Sequence, residues 1–122
     1  MHALVVDDDE VVVQFFKICL TRLGYQVTTA GDGMAALDLC KERAFDVVLC
    51  DVRMPRLNGI SFISNVKRLA PGSTKRIIVI SSMDDRSVRT DAMAAGATAY
   101  LVKPVSAATL AQHLALPDAA ES

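Results

Sequence analysis

Asp7, Asp8 and Asp9 close one apolar run of this chain, Asp51 closes a second, and Ser81 and Lys103 close two more. Carboxylates gathered in one place repel one another and are costly to desolvate unpaired. A hard divalent cation resolves that conflict. Mg²⁺ takes octahedral oxygen ligands, commonly one or two carboxylates with retained waters and a phosphate oxygen. Asp8 and Asp51 can supply carboxylates, a backbone carbonyl just after Asp51 a third oxygen, and Asp7 can hold a coordinated water. Lys103 brings a point charge suited to a phosphate oxygen, and Ser81 a hydroxyl donor. A metal, a fixed cation, a hydroxyl and a carboxylate nucleophile are the parts needed to form an acyl phosphate on Asp51 by in-line transfer.

Those residues meet only if the chain brings four run ends to one rim, and its periodicity predicts that it does. Strand-like runs rich in β-branched residues cover 3–6, 25–30, 45–50, 76–81 and 98–102. The first, third and fourth are almost wholly apolar, as strands covered on both faces must be. Between the runs, Val12, Phe16, Cys19 and Leu23 share one helical face, as do Ala36, Leu37 and Cys40, then Ile63, Val66 and Ala70. Gly24, Pro71-Gly72 and Gly96 are placed to stop helices, and a fifth helix is expected from about Ser106 to Leu116. Five strand-helix units predict a doubly wound α/β domain: a five-stranded parallel sheet with the first, third and fourth strands central, flanked by five helices. Ligands of such sheets bind at the carboxyl ends of the strands. Asp7 to Asp9, Asp51, Ser81 and Lys103 all fall there.

The bulk properties allow one such domain. The chain has 122 residues, 52% of them hydrophobic, and a net charge of −1. That balance gives no general attraction to nucleic acid or to an anionic membrane, so neither is an expected partner. No run approaches the 18 or so apolar residues of a membrane span, and the N-terminus has too short an apolar run for a secretory signal. The cytoplasm is the expected location. Cys19, Cys40 and Cys50 lie in apolar runs without metal-ligand spacing and read as small hydrophobes. His2 and His113 are expected at the surface.

Taken together, LVVDDD at 4–9, DVRMPRLNG at 51–59, VISS at 79–82 and YLVKP at 100–104 give a sequence that resembles the receiver domains of two-component response regulators, including the single-domain chemotaxis type. The resemblance covers nearly the whole chain, with the receiver placed at 1–116 and a tail or linker at 117–122. It implies the flavodoxin-like strand order 2-1-3-4-5 and a phosphoacceptor switch, not an enzyme acting on other substrates. Asp51 would take phosphate from a sensor histidine kinase or a histidine phosphotransfer protein. Asp7 and Asp8 would be the acid pair and the Arg53 carbonyl the third protein ligand to Mg²⁺, for which Mn²⁺ can substitute. Lys103 would pair with the phosphate through a cis Lys103-Pro104 peptide, Ser81 would move to bind the phosphoryl group, and Tyr100 would turn inward behind it. Gly59 would permit the turn into the third helix. Arg53 and Met83 would tune loss of phosphate by controlling water access. The readout would be the surface of the fourth helix, fifth strand and fifth helix, facing a downstream protein or a linked output domain.

A haloacid-dehalogenase-type phosphohydrolase shares the D-x-D-x-V opening but needs a further acidic pair after its lysine. Only Asp118 and Glu121 follow Lys103, and that reading leaves Asp51 without a role. A degenerate receiver serving as a constitutive binding module would have lost Asp51, the acid pair or Lys103, and all are present. One departure concerns the output face. No acid precedes Tyr100, and SAATLAQHLA at 106–115 carries no charge, which does not support the dimer mode of winged-helix regulators. With Ala107, Leu110, Ala111 and Leu114 expected inward, Ala108, Ala115 and Leu116 would leave a bland apolar face for a docking partner.

Overall fold

The computed structural model describes residues 1–54 and 56–115. Strands β1 (His2–Val6), β2 (Gln26–Ala30), β3 (Val47–Cys50), β4 (Ile77–Ser81) and β5 (Ala99–Val102) alternate with helices α1 (Glu10–Arg22), α2 (Gly33–Glu42), α3 (Gly59–Leu69), α4 (Arg86–Ala95) and α5 (Ala107–Ala115). The sheet runs β2-β1-β3-β4-β5 with every pairing parallel, the order expected from the sequence. β1, β3 and β4 are its three central strands, and Ala3 to Val6, β3 and β4 are buried throughout.

Side chains alternate across these strands and so divide the core in two. Leu4, Val6, Val48, Cys50, Ile77 and Val79 face a layer built on α2, α3 and α4. Ala3, Val5, Val47, Leu49, Ile78 and Ile80 face α1 and α5. Each fully buried Ile or Leu of these layers stabilises the fold by roughly 1.5–3 kcal/mol, so strand level is tightly specified.

The helix entrances are fixed by the residues that cap them. Asp9, Asp32, Asn58 and Asp85 accept hydrogen bonds from the first-turn amides of α1, α2, α3 and α4. Gly96 ends α4 at φ 125°, a conformation that favours glycine.

Two helical faces differ from expectation. α1 turns Val13, Phe16 and Leu20 inward, while Val12 and Cys19 are half-buried and Leu23, the C-cap, is 43% exposed. The run Val11-Val12-Val13 supplies a hydrophobe at every phase, so spacing alone did not fix the rotation. In α5, Leu110 is buried and Ala111 and Leu114 half-buried, but Ala107 is exposed with Ala108 and Ala115. Leu116 and the 117–122 tail lie outside the described residues. Cys40 and Cys50 are buried free thiols and Cys19 a half-buried one; burial pushes Cys40 up to about 11. His2 and His113 are half-buried; the His2 ring meets Arg43 at 2.9 Å in an exposed contact. No helix among the described residues is long and apolar enough to cross a membrane.

Candidate functional site

Register brings the acidic residues together. Val6 pairs with Cys50, so the next residues, Asp7 and Asp51, leave adjacent strands at the same level. The Asp51 amide donates to the Val6 carbonyl at 3.1 Å and the Asp7 amide to Ala30 at 3.2 Å, which fixes both backbones. On the other side of the sheet Ser81 pairs with Val102, and the Lys103 amide donates to the Ser81 carbonyl at 2.8 Å. Lys103 therefore starts from the same rim, and its peptide to Pro104 is cis.

Carboxylate oxygens of Asp7, Asp8 and Asp51 lie within 4.8 Å of one another. The Lys103 ammonium donates to Asp7 at 3.0 Å and to Asp51 at 3.2 Å. One lysine cannot balance three carboxylates. The set is all oxygen, anionic and only partly buried, which fits a hard divalent cation such as Mg²⁺. Asp8 is exposed, so the group is open to solvent on its side.

Burial sets the electrostatics. The Asp7 side chain is 5% exposed, and desolvation pushes its carboxyl above the ordinary range, with the Asp9 amide and Lys103 opposing. The Lys103 side chain is less buried, at 22% exposed. Desolvation alone would lower it, but its hydrogen bond to Asp7 and the charge of Asp51 outweigh that and hold it above the usual lysine value.

A second cluster lies at the ends of β4 and β5. Ser81 is buried and its hydroxyl accepts the Met83 amide at 3.1 Å, while Ser82 is exposed. Tyr100 is 6% exposed and its hydroxyl donates to the Met83 carbonyl at 2.6 Å. The ring lies inward, with the Arg89 guanidinium 5.1 Å from its centroid. Sequence reading did not find Arg89. An exposed arginine in α4 carries no local signal that its partner is an aromatic ring on β5.

Gly59 shows why no side chain fits at the start of α3. A Cβ there would collide with the Asp51 carbonyl oxygen, and the Gly59 amide donates to Val52 at 2.8 Å. Arg53 and Met83, with Asp8, Met54 and Ile60, line a groove of about 730 Å³ beside the acidic cluster. Asp7, Asp8, Asp51, Ser81 and Lys103 thus stand at strand ends on one rim, with Tyr100, Gly59, Arg53 and Met83 close by. The unexpected feature is that Lys103 engages Asp7 as well as Asp51.

The family described as the response regulator receiver domain matches residues 3–115. Over 102 residues the chain is 36% identical to the transcriptional regulatory protein ZraR of Escherichia coli O157:H7, covering 84% of this chain but 23% of that protein. The chain thus spans under a quarter of that relative's length. Among solved structures it is similar to the chemotaxis protein CheY4 of Vibrio cholerae, with TM-score 0.86, 33% identity and coverage of 93% and 94% of the two chains. It is also similar to the receiver domain of the sensor histidine kinase PA1611 of Pseudomonas aeruginosa, with TM-score 0.84, 30% identity and 93% of both chains covered. That structure holds a magnesium ion coordinated in its active site cleft.

Proposed function

The chain belongs to the response regulator receiver domain family, and from that premise we propose that Asp51 is the acceptor of a phosphoryl group delivered by a histidine kinase or histidine phosphotransfer protein. The observation that carries this reading is the convergence of Asp51 with Asp7, Asp8 and Lys103 at one strand-end rim. Asp7, Asp8, Asp51 and the Arg53 carbonyl would hold Mg²⁺ or Mn²⁺, which when bound neutralises charge on the phosphoryl oxygens. A carboxylate oxygen of Asp51 attacks phosphorus, the bond from phosphorus to the donor imidazole breaks, and the imidazole leaves with its electron pair. Lys103 then exchanges a carboxylate partner for a phosphoryl oxygen. The protein catalyses only its own phosphorylation and dephosphorylation.

The new dianion shifts an equilibrium at the neighbouring cluster. Ser81 leaves the Met83 amide for the phosphoryl group, and the space behind it favours the inward Tyr100 ring. Inward is the position Tyr100 holds here. The change is read on the α4–β5–α5 surface by a downstream protein or a linked output domain, with the uncharged outer face of α5 offering an apolar contact. The setting is cytoplasmic, and neither nucleic acid nor membrane is bound directly.

The test is Mg²⁺-dependent labelling by acetyl phosphate of the native chain and of Asp51→Asn. Label on the native chain alone is expected. Equal labelling of the two would overturn the assignment.

A further inference from the structure

We propose that the N-terminus of α2 is a buttress for the phosphoacceptor: Asp32 and Gly33 seat the loop at Arg56 and Leu57, and through Asn58 and Gly59 that seat sets the position of Asp51. The proposal rests on the reading of Asp51 given above, and assigns Asp32, Gly33 and Arg56 as positioning residues.

The contacts form an unbroken series. One carboxylate oxygen of Asp32 accepts the Ala35 amide at 2.8 Å and so caps α2. Its other oxygen accepts from the Arg56 guanidinium at 2.7 Å. A single side chain thus ties the start of α2 to the loop between β3 and α3. Arg56 holds a left-handed backbone, φ 69°, which is strained for a residue with a Cβ. Such a conformation persists where surrounding contacts impose it, and the ion pair to Asp32 is one of them.

Gly33 supplies the second contact. It is buried, and a Cβ at this position would run into both the carbonyl oxygen and the Cβ of Leu57. Leu57 therefore rests directly on the α2 backbone, with no room for even a methyl group. The next residue, Asn58, caps α3 by accepting the Ser61 amide at 2.9 Å. Gly59 follows, its amide bonded to the Val52 carbonyl and its Cα packed against the Asp51 carbonyl. Interiors packed this closely transmit displacement instead of absorbing it.

Two features favour positioning over simple packing. Exposed ion pairs contribute little to stability on their own, and Arg56 is mostly exposed, so its value lies in where it holds the loop. Both close approaches, at Gly33 and at Gly59, are made to backbone atoms of the segment that carries the acceptor. The Ala35 amide, helped by Arg56, outweighs the opposing effect of burial and keeps the Asp32 carboxyl below the usual range, so it is ionised near neutrality.

The experiment uses the full chain and two readouts: backbone amide shifts without metal, and Mg²⁺ affinity by titration. In Gly33→Ala we expect folded protein by circular dichroism, shifted amides at Asp51, Val52 and Gly59, and a Kd for Mg²⁺ raised about tenfold. Asp32→Asn retains a capping oxygen but loses the charge, and should move the same amides and raise the Kd about threefold. Arg56→Ala should match it, and Arg56→Lys should recover most of the native value. A folded Gly33→Ala protein with native amide positions and a Kd within twofold of native overturns the proposal. Should Gly33→Ala fail to fold, native values in Asp32→Asn overturn it equally. Failure of Asp51 to take label would remove the function while leaving the metal-free amide shifts to report on the buttress.

Discussion

At the ends of β1 and β3 three carboxylates are gathered around one lysine, whereas at the ends of β4 and β5 a serine, a methionine backbone and a tyrosine are linked by neutral hydrogen bonds. The first group is held in tension, since the mutual repulsion of Asp7, Asp8 and Asp51 is only partly offset by Lys103. Its response to any added charge is correspondingly large. The second group is held by bonds worth roughly 1 kcal/mol each, which a new acceptor nearby can replace. On the proposed function, chemistry would belong to the half where charge is concentrated, and signalling to the half whose bonds are cheap to exchange.

The sharpest way to break this contrast is to remove the cation from the charged half. Lys103→Ala leaves Asp7 and Asp51 facing each other unpaired. Losing one partner of a fully buried pair costs about 3–5 kcal/mol; because the Lys103 side chain is 22% exposed, we expect about 2 kcal/mol here. Millimolar Mg²⁺ should restore part of that loss, more than it stabilises the native chain. Urea unfolding with and without Mg²⁺ measures both quantities. The pH dependence has a definite sign: the folded-state value of Lys103 is raised above 10.5, so its contribution is complete below that pH and is lost as pH rises through the raised value. Unchanged stability of Lys103→Ala in metal-free buffer would show that the charged half is not under tension.

In the neutral half the corresponding change is Tyr100→Phe, which keeps the buried ring and deletes the bond to Met83. About 1 kcal/mol of destabilisation is expected, together with faster amide hydrogen exchange over residues 83–86. A loss equal to that of Lys103→Ala would erase the difference between the halves.

This division was legible in the sequence to an uneven degree. Asp7, Asp51, Ser81 and Lys103 could be placed because each directly follows or ends an apolar run, and a parallel sheet carries all run ends to one side. Which strands are central followed from which runs were wholly apolar. Phase within helices was harder to read: Val11-Val12-Val13 and Phe15-Phe16 satisfy more than one helical face, so Leu20 was missed and Leu23 wrongly turned inward. Contacts between side chains far apart in sequence left no local trace. Lys103 to Asp7, Arg89 over Tyr100 and Arg56 to Asp32 span 96, 11 and 24 positions, and charged residues occur at many others.

A finer test separates two adjacent hydroxyls. Ser81 is buried and bonded to the Met83 amide, while Ser82 is exposed. Ser81→Ala should reduce stability by under about 1 kcal/mol, slow labelling of Asp51 and weaken the phosphorylation-dependent change at α4 and β5. Ser82→Ala should alter none of these. The reverse outcome, measured by amide shifts before and after acetyl phosphate, would move the switch residue by one position.

Met83 is where the two halves meet. Met83 belongs to the neutral half by its backbone bonds, yet its side chain lines the groove that Asp8 and Arg53 share with the acidic cluster. Hydrolysis of an aspartyl phosphate needs a water aligned opposite the bond to Asp51, and an apolar thioether beside a long cation restricts where such a water can stand. The native phosphoryl group should therefore outlast a few seconds by a wide margin. Met83→Ser should shorten that lifetime several-fold while changing stability by less than about 1 kcal/mol, and Arg53→Ala should act in the same direction. Loss of ³²P label after removal of donor gives the lifetime directly. Equal decay in native chain and Met83→Ser would mean that the neutral half controls the signal only through its backbone, and that water reaches phosphorus by a path the groove does not govern.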